Sequence, residues 1–272
     1  MAAPKASRDG VSLGDAGGGE VGTVRAITDY SSKVRAAGNR WGGARLRRDR
    51  VTLALSRAQA LGLVEAVAHA ERIGLPMNRL VTVHWGALDL SDDDALAATG
   101  RLLKLWREAL AVRGLPFACA WVRENDDGDA SKGAHVHILA HVPAAAGKGF
   151  MRRLQAWARL AAGGRYSRRR GRIEGRAYVT GAVDTGRIGG RLGLSGPVHL
   201  RNLAATVCYL LKGGELETVK AALAHPLLSS VPLQCLYRHG RIRHDEGGRI
   251  IGKRAGWSEN IGAAARRRAG TS

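Results

Sequence analysis

The sequence His135-Val136-His137, inside the run GAHVHILAHV, limits what this chain of 272 residues can fold into more than any other stretch. The aliphatic and β-branched residues around the two histidines predict a β-strand. Successive side chains of a strand alternate between its faces, so both imidazoles point to one face and Val136 to the other. Two imidazoles one pleat apart are half of a candidate site for a divalent ion, with Mg, Mn, Zn and Fe all open.

A third ligand is expected from the preceding strand. Residues 116–124 (PFACAWVRE) predict a strand that ends at Glu124, and the turn-rich run after it indicates a hairpin with the histidine strand. Glu124 can therefore lie beside the histidine pair. Asp126, Asp127 and His141 stay open as alternatives for the third position.

The other predicted elements indicate an α+β fold. The run RLVTVHW predicts a strand with Thr82 and His84 on one face, and both are candidates to line a site. Hydrophobic spacing predicts helices at residues 56–74, 93–114 and 149–164. This order predicts a central antiparallel sheet with flanking helices.

A further helix carries two candidate catalytic side chains. It is predicted over residues 198–214, with Asn202 as its N-cap, and it places Tyr209 and Lys212 on one face. A tyrosine phenol is a poor nucleophile unless a cation stabilises its oxyanion, and Lys212 with a metal ion would supply that charge. The alternative is a half-buried tyrosine beside the stem of a surface lysine.

The charge of the chain predicts a nucleic-acid partner. There are 43 Lys and Arg residues against 23 Asp and Glu, a formal net charge of +20 at pH 7, and such a field attracts polyanions. Arginine interleaved with tyrosine suits single strands, because both side chains stack on bases. A solvated surface is the competing interpretation. The predicted nucleic-acid-binding residues are Arg165, Tyr166, Arg168, Arg169, Arg170, Arg172, Lys253 and Arg254.

Composition divides the chain into three predicted segments. Residues 1–38 have no helix or strand period and are expected to form a disordered basic tail. Residues 39–245 form the predicted folded domain, and residues 246–272 a basic, Gly-rich C-terminal tail. Since there is no apolar run of about 18 residues and no signal segment, we expect a cytoplasmic protein without a membrane partner.

Taken in order, Glu124, His135-Val136-His137 and Tyr209-Leu210-Leu211-Lys212 resemble the motifs of the HUH endonuclease superfamily, in its single-tyrosine rolling-circle replication initiators. The resemblance covers about residues 79–213 and makes residues 39–245 the expected endonuclease domain. It implies a ferredoxin-like layout, with the histidine pair on a central strand and the tyrosine on a neighbouring helix.

The resemblance also implies an activity. His135, His137 and Glu124 would hold one Mg or Mn ion, and Tyr209 would attack a phosphate of single-stranded DNA, leaving a 5′-phosphotyrosine. Lys212 would orient the tyrosine or the ion and offset charge in the transition state. Nicking and joining at an origin would start rolling-circle replication of a plasmid or phage. Because the chain has no Gly-rich GK[ST] loop, a separate helicase is an expected partner.

Two other functions stay open. A non-catalytic DNA-binding regulator of the same fold would tolerate Tyr209→Phe. A histidine-triad nucleotide hydrolase would need a third alternating histidine, and this chain has Leu139 at that position.

Overall fold

The computed structural model describes residues 50–126, 133–164, 168–173, 176–189, 196–229, 237–238, 241–242 and 247–270. They belong to one compact unit, Leu46–Ser272. Its described helices are α1 (Arg57–Arg72), α2 (Asp92–Ala111), α3 (Ala144–Gly147), α4 (Phe150–Ala161), α5 (Pro197–Leu210), α6 (Leu216–Leu223) and α7 (Ala263–Arg268). Its described strands are β1 (Val51–Thr52), β2 (Arg79–His84), β3 (Ala118–Asp126), β4 (Gly133–His141), β5 (Arg168–Ile173), β6 (Arg176–Gly181), β7 (Val183–Arg187), β8 (Tyr237–Arg238), β9 (Arg241–Ile242), β10 (Ile250–Ile251) and β11 (Ala255–Trp257). The predicted N-terminal tail, residues 1–38, lies outside the described residues.

A five-stranded antiparallel sheet in the order β11-β3-β4-β2-β7 organises the described fold. Leaving aside the short helix α3 and the separate hairpin β5-β6, four strands and two helices occur in the order β2-α2-β3-β4-α4-β7, which is the split β-α-β-β-α-β arrangement of ferredoxin-like folds. Strand β4 lies between its hairpin partner β3 and the earlier strand β2. The predicted α+β class, with a central antiparallel sheet and flanking helices, is confirmed.

Alternation of side chains gives the sheet two different faces. On the first face, Val136 and Ile138 pack with Trp106 of α2 and with apolar residues of α4. On the second face, Val122 and Leu139 pack with apolar residues of α1, α5 and α6. The predicted site residues of β2, β3 and β4 occupy alternate positions that belong to this second face.

Capping explains where two predicted helices begin. At α1, Ser56 Oγ accepts from the Gln59 N–H at 3.3 Å, and the Gln59 side chain accepts from the Ser56 N–H at 3.0 Å, which completes a capping box. At α2, Ser91 Oγ accepts from the Asp94 N–H at 3.1 Å. The acidic first turn of α2 also suits the positive end of the helix dipole.

The start of α5 differs from the prediction. The helix begins at Pro197, which fits the first turn because the N–H that proline lacks has no partner there. Asn202 is not the cap but lies inside the helix, where its carbonyl accepts from Thr206 Oγ1 at 2.7 Å. In the described part of the chain, no helix has both the length and the apolar character needed to cross a bilayer.

The C-terminal residues predicted as a tail are part of the fold. Strand β11 is an edge strand of the main sheet, paired antiparallel with β3, and β10 pairs with β1. Arg254 is 1% exposed and donates to the carbonyl oxygens of Gly247, Gly248 and Thr52. The tail prediction is wrong for residues 247–270, because strands of two or three residues give no visible period in a Gly-rich sequence.

Candidate metal centre and tyrosine

Two neighbouring strands bring three candidate ligands together. The register of β3 and β4 places Glu124 opposite His135, with His137 on the same face of β4. Glu124 Oε2 is 3.3 Å from His135 Nε2 and 3.7 Å from His137 Nε2. All three residues are buried, and one ligand atom from each lies within 4.8 Å of the others. They are therefore positioned to hold a metal ion.

The second ring nitrogen of each histidine has a hydrogen-bond partner. His135 Nδ1 lies 2.8 Å from the Gly133 carbonyl oxygen, which can only accept, so Nδ1 carries the proton. His137 Nδ1 lies 2.9 Å from Thr82 Oγ1. Both rings direct Nε2 toward Glu124, and a bonded second nitrogen is typical of histidines that ligate metals.

Glu124 is fully buried in strongly positive surroundings. Its side chain is 0% exposed, and Oε2 accepts from Lys212 Nζ at 2.6 Å. Burial alone would raise the pKa of this carboxyl group, but the close contacts with His135 and His137 and the charge on Lys212 outweigh burial and hold the pKa below its usual range. Glu124 is therefore a carboxylate in the folded protein.

The other oxygen of Glu124 indicates that the site fits a cation. Oε1 is buried, and no described residue donates a hydrogen bond to it. Leaving a buried carboxylate oxygen without a partner is costly, and a bound cation would remove that cost. Two imidazoles and one carboxylate are also a common ligand set for divalent ions. The residues present therefore fit a divalent ion.

His137 is suited to bind a metal rather than a proton. Burial lowers the pKa of His137, and the nearby carboxylate of Glu124 offsets only part of this effect. Neutral imidazole is the form that binds metals, so the surroundings of His137 favour the ligand form.

Helix α5 brings the predicted nucleophile to this centre. The Tyr209 hydroxyl oxygen is 3.3 Å from His137 Nε2, and the two rings meet edge to face with centroids 5.1 Å apart. Lys212 Nζ lies 5.2 Å from the centroid of the Tyr209 ring, and it also contacts Glu124. The five residues that the fold brings together are Glu124, His135, His137, Tyr209 and Lys212.

A close approach of two backbone segments sets the turn that follows α5. A Cβ atom added at Gly213 would lie 3.3 Å from the Cα of Gly247 and 3.9 Å from Glu124 Oε1. Glycine at position 213 therefore lets the C-terminal segment pack directly behind Lys212 and Glu124.

The residues predicted to line the site occupy different positions. Thr82 contacts His137, one of the candidate metal ligands, directly. His84 lies opposite His135 on β2, with ring centroids 5.6 Å apart. His141 lies at the far end of β4, where its Nδ1 is 2.9 Å from the Pro76 carbonyl oxygen. Among the described residues, the metal-ligand cluster includes neither His84 nor His141.

Glu124 is the alternative for the third ligand that the fold supports. His141 is engaged elsewhere, as its contact with the Pro76 carbonyl indicates. Asp127 lies outside the described residues, and Asp126 is described only in its backbone, opposite Gly133.

The predicted nucleic-acid-binding residues fall into separate groups. Lys253 is exposed, and its Nζ lies 5.5 Å from the centroid of a Trp121 ring. Arg254 is buried and bonded to backbone carbonyls, so its prediction as a DNA contact is wrong. The arginines of β5, whose backbone alone is described, are Arg168, Arg169, Arg170 and Arg172. The predicted residues outside the described part are Arg165 and Tyr166.

The sequence did not predict strand β7 or the acidic residue that it adds. Asp184 pairs in register with Thr82, which pairs on its other side with His137. The exposed carboxylate group of Asp184 therefore lies on the strand next to Thr82, in the same row across the sheet as Thr82 and His137. The run VDTGR is short and contains a glycine and two charged residues, so its composition gives little strand signal.

Comparison of the chain with protein-family models, with curated proteins and with solved structures finds no match.

Proposed function

We propose that the chain nicks and rejoins single-stranded DNA in a metal-dependent reaction that attaches Tyr209 to a 5′ phosphate. The position of Tyr209 carries this proposal, because its hydroxyl oxygen lies 3.3 Å from His137 Nε2 at a centre whose residues fit a divalent ion. A nucleophile and a cation can then act on one phosphate without further rearrangement of the fold.

The chemistry follows from these positions. A bound divalent ion, Mg or Mn in this proposal, would polarise the scissile phosphate and offset charge on its oxygens. The Tyr209 oxygen forms a bond to phosphorus while the bond from phosphorus to the 3′ oxygen breaks. The phenol of Tyr209 loses its proton as this bond forms, and the 3′ oxygen gains a proton and leaves as a hydroxyl group, so the step is balanced in protons. Attack of a 3′ hydroxyl on the phosphotyrosine reverses these bonds and joins the strand.

Lys212 connects the nucleophile with the ligand set. Its ammonium group is 2.6 Å from Glu124 Oε2 and 5.2 Å from the centroid of the Tyr209 ring. A fixed positive charge at this point favours the ionised phenol during attack and stabilises charge that grows in the transition state. It also holds the carboxylate of Glu124 in the direction of the two histidines.

The charge of the chain supports a nucleic-acid substrate. A net charge of +20 attracts the phosphate backbone, and a single strand avoids the cost of opening a paired site. An origin of a plasmid or phage and a separate helicase are parts of the proposal that rest on the resemblance to rolling-circle initiators, and a cytoplasmic location stays an expectation from the sequence.

The alternatives differ in what they require of the site. The position where a histidine-triad hydrolase needs a histidine is occupied by Leu139, which is 0% exposed and packs in the core. A DNA-binding regulator of the same fold would need neither the metal nor the hydroxyl group of Tyr209.

The proposal is tested by incubating the protein with Mn²⁺ and labelled single-stranded oligonucleotides that tile its own genetic element, followed by a denaturing gel. We expect a DNA-linked protein band that EDTA and Tyr209→Phe abolish. The control is Tyr178→Phe, which removes a tyrosine hydroxyl group in strand β6 and should retain the band. If oligonucleotides bind but no covalent band forms, the DNA-binding regulator replaces the nuclease.

A further inference from the structure

The two ligand histidines are held by different kinds of partner. The carbonyl oxygen of Gly133 can only accept, so it fixes His135 with a proton on Nδ1 and with Nε2 facing Glu124. The Thr82 hydroxyl group, 2.9 Å from His137 Nδ1, can accept or donate. The orientation of His137 therefore depends on a side chain that a substitution can remove.

The sheet makes this contact direct and hard to replace. The register of β2 and β4 places Thr82 opposite His137 on the same face, where cross-strand side chains lie close enough to bond. His137 is 4% exposed, so water has little access to take the place of the hydroxyl group. Thr82 is thus the described side chain that holds this ring nitrogen.

We infer that Thr82 is the positioning residue for His137 in the metal centre, an inference that rests on the proposed function. By accepting from Nδ1–H, the hydroxyl group keeps the lone pair of Nε2 directed at the ion. Without this acceptor, the ring can carry its proton on Nε2 instead, where Tyr209 Oη and Glu124 Oε2 lie 3.3 and 3.7 Å away. A protonated Nε2 has no lone pair for a metal.

Calorimetric titration of the full chain with MnCl₂ tests this role directly. Thr82→Val keeps the β-branched shape that suits the strand but removes the hydroxyl group. We expect it to weaken Mn²⁺ binding roughly 10- to 100-fold, the usual effect of losing the partner of a ligand histidine. Thr82→Ser retains the hydroxyl group and is expected to bind like the wild type.

Thr185 offers a matched control in the neighbouring strand. Its Oγ1 is buried without a hydrogen-bond partner among the described residues, and its register partner is Val81, which packs on the other face of the sheet. We expect Thr185→Val to leave Mn²⁺ affinity unchanged. An equal loss in Thr82→Val and Thr185→Val would overturn the inference, because any change of threonine in this sheet would then have the same effect.

Other outcomes separate this inference from the function on which it rests. If the wild type binds Mn²⁺ and Thr82→Val binds it with the same affinity, the role of Thr82 alone is overturned. If the wild type does not bind Mn²⁺, the proposed function is overturned as well. If Thr82→Val does not fold, ¹⁵N shifts of His137 in the metal-free wild type decide the question. A proton on Nδ1 supports the inference, and a proton on Nε2 overturns it.

Discussion

At the scale of single residues, the centre depends on opposite charges kept together away from water. Glu124 is 0% exposed and Lys212 is 7% exposed, so the attraction between them is weakly screened. Taking both groups out of water is also costly, and removing one partner leaves a buried charge that the other had compensated. The pair is therefore a determinant of stability, and its carboxylate is also one of the candidate metal ligands.

We expect Glu124→Gln to lower the free energy of unfolding of the metal-free protein by about 3 kcal/mol, because it leaves the ammonium group of Lys212 facing a neutral amide. The same variant should lose more than about 100-fold in Mn²⁺ affinity. It removes a candidate ligand, whereas Thr82→Val removes only the hydrogen-bond partner of one. Urea denaturation and calorimetry give the two numbers. Adding Lys212→Met should restore most of the stability but none of the affinity. Failure of that double variant to regain stability would mean that the ion pair is not the cause.

The residues of the centre could be predicted to different extents. Strand alternation was enough to find His135 and His137, because the two-residue period places them on one face whatever the rest of the fold does. The role of Thr82 depends on a pairing between β2 and β4 that no local pattern specifies. The basic, Gly-rich composition around Arg254 predicts a DNA contact, whereas the burial of this side chain depends on carbonyl groups supplied by the folded segment around it.

At the scale of elements, the segment between Gly247 and β11 supports the end of β3 that carries Glu124. The Asn125 N–H donates to the Gly247 carbonyl oxygen at 3.2 Å. The neighbouring Gly248 has φ +63°, and a Cβ atom there would lie 1.4 Å from the Asn125 carbonyl oxygen. This close approach requires glycine for steric as well as conformational reasons.

Gly248→Ala should therefore lower the free energy of unfolding by more than about 3 kcal/mol, because the backbone must move to relieve the overlap. Gly74→Ala is the matched control. Gly74 has φ +74° with no atom within 4 Å of an added Cβ, so its substitution should cost about 1 to 2 kcal/mol for the left-handed conformation alone. Denaturant titration compares the two variants. Equal losses would contradict the close packing of this segment on β3.

The elements were predictable where their sequences repeat locally. α2 has apolar spacing and a serine cap, and the long β4 strand is rich in aliphatic residues, so each could be identified from its own residues. β7 and β11 have five and three residues, and their strand conformation depends on partners far away in the sequence. The sequence therefore predicts the inner strands better than the edges.

At the scale of the whole molecule, the chain joins distant segments around one sheet. Helix α2 follows β2 closely along the chain. The edge strand β11, in contrast, lies among the last 18 residues of the chain, positions 255–272. A local pattern predicts the α+β class, because the class depends on the order of helices and strands. It does not predict that the C-terminal residues complete the sheet, since that depends on long-range pairing.

Two truncations test this view of the molecule. Removing residues 247–272 deletes β10, β11 and the buried Arg254, so we expect loss of cooperative thermal unfolding. Removing residues 1–38, predicted as a tail, should leave the melting temperature unchanged. Circular dichroism during heating provides the measurement. A cooperative transition in the C-terminal truncation would contradict the integration of this segment into the fold.

Salt dependence tests the proposed partner at the same scale. Because binding to a phosphate backbone releases counterions, the affinity for a single-stranded oligonucleotide should fall steeply between about 50 and 200 mM salt. Fluorescence anisotropy at several salt concentrations gives the slope. Affinity that does not change with salt would contradict an electrostatic interface, despite the net charge of +20.

The central claim is that the hydroxyl group of Tyr209 forms the covalent bond to DNA, and peptide mapping of the adduct tests it most directly. Trypsin cleaves after Arg201 and Lys212, which releases Tyr209 as the single tyrosine of the peptide NLAATVCYLLK. After reaction with single-stranded DNA and Mn²⁺, and trimming of the DNA by nuclease, mass spectrometry should find a nucleotide on Tyr209 of this peptide. A nucleotide on another tyrosine, or an unmodified peptide in a sample that contains the DNA-linked band, would contradict the account.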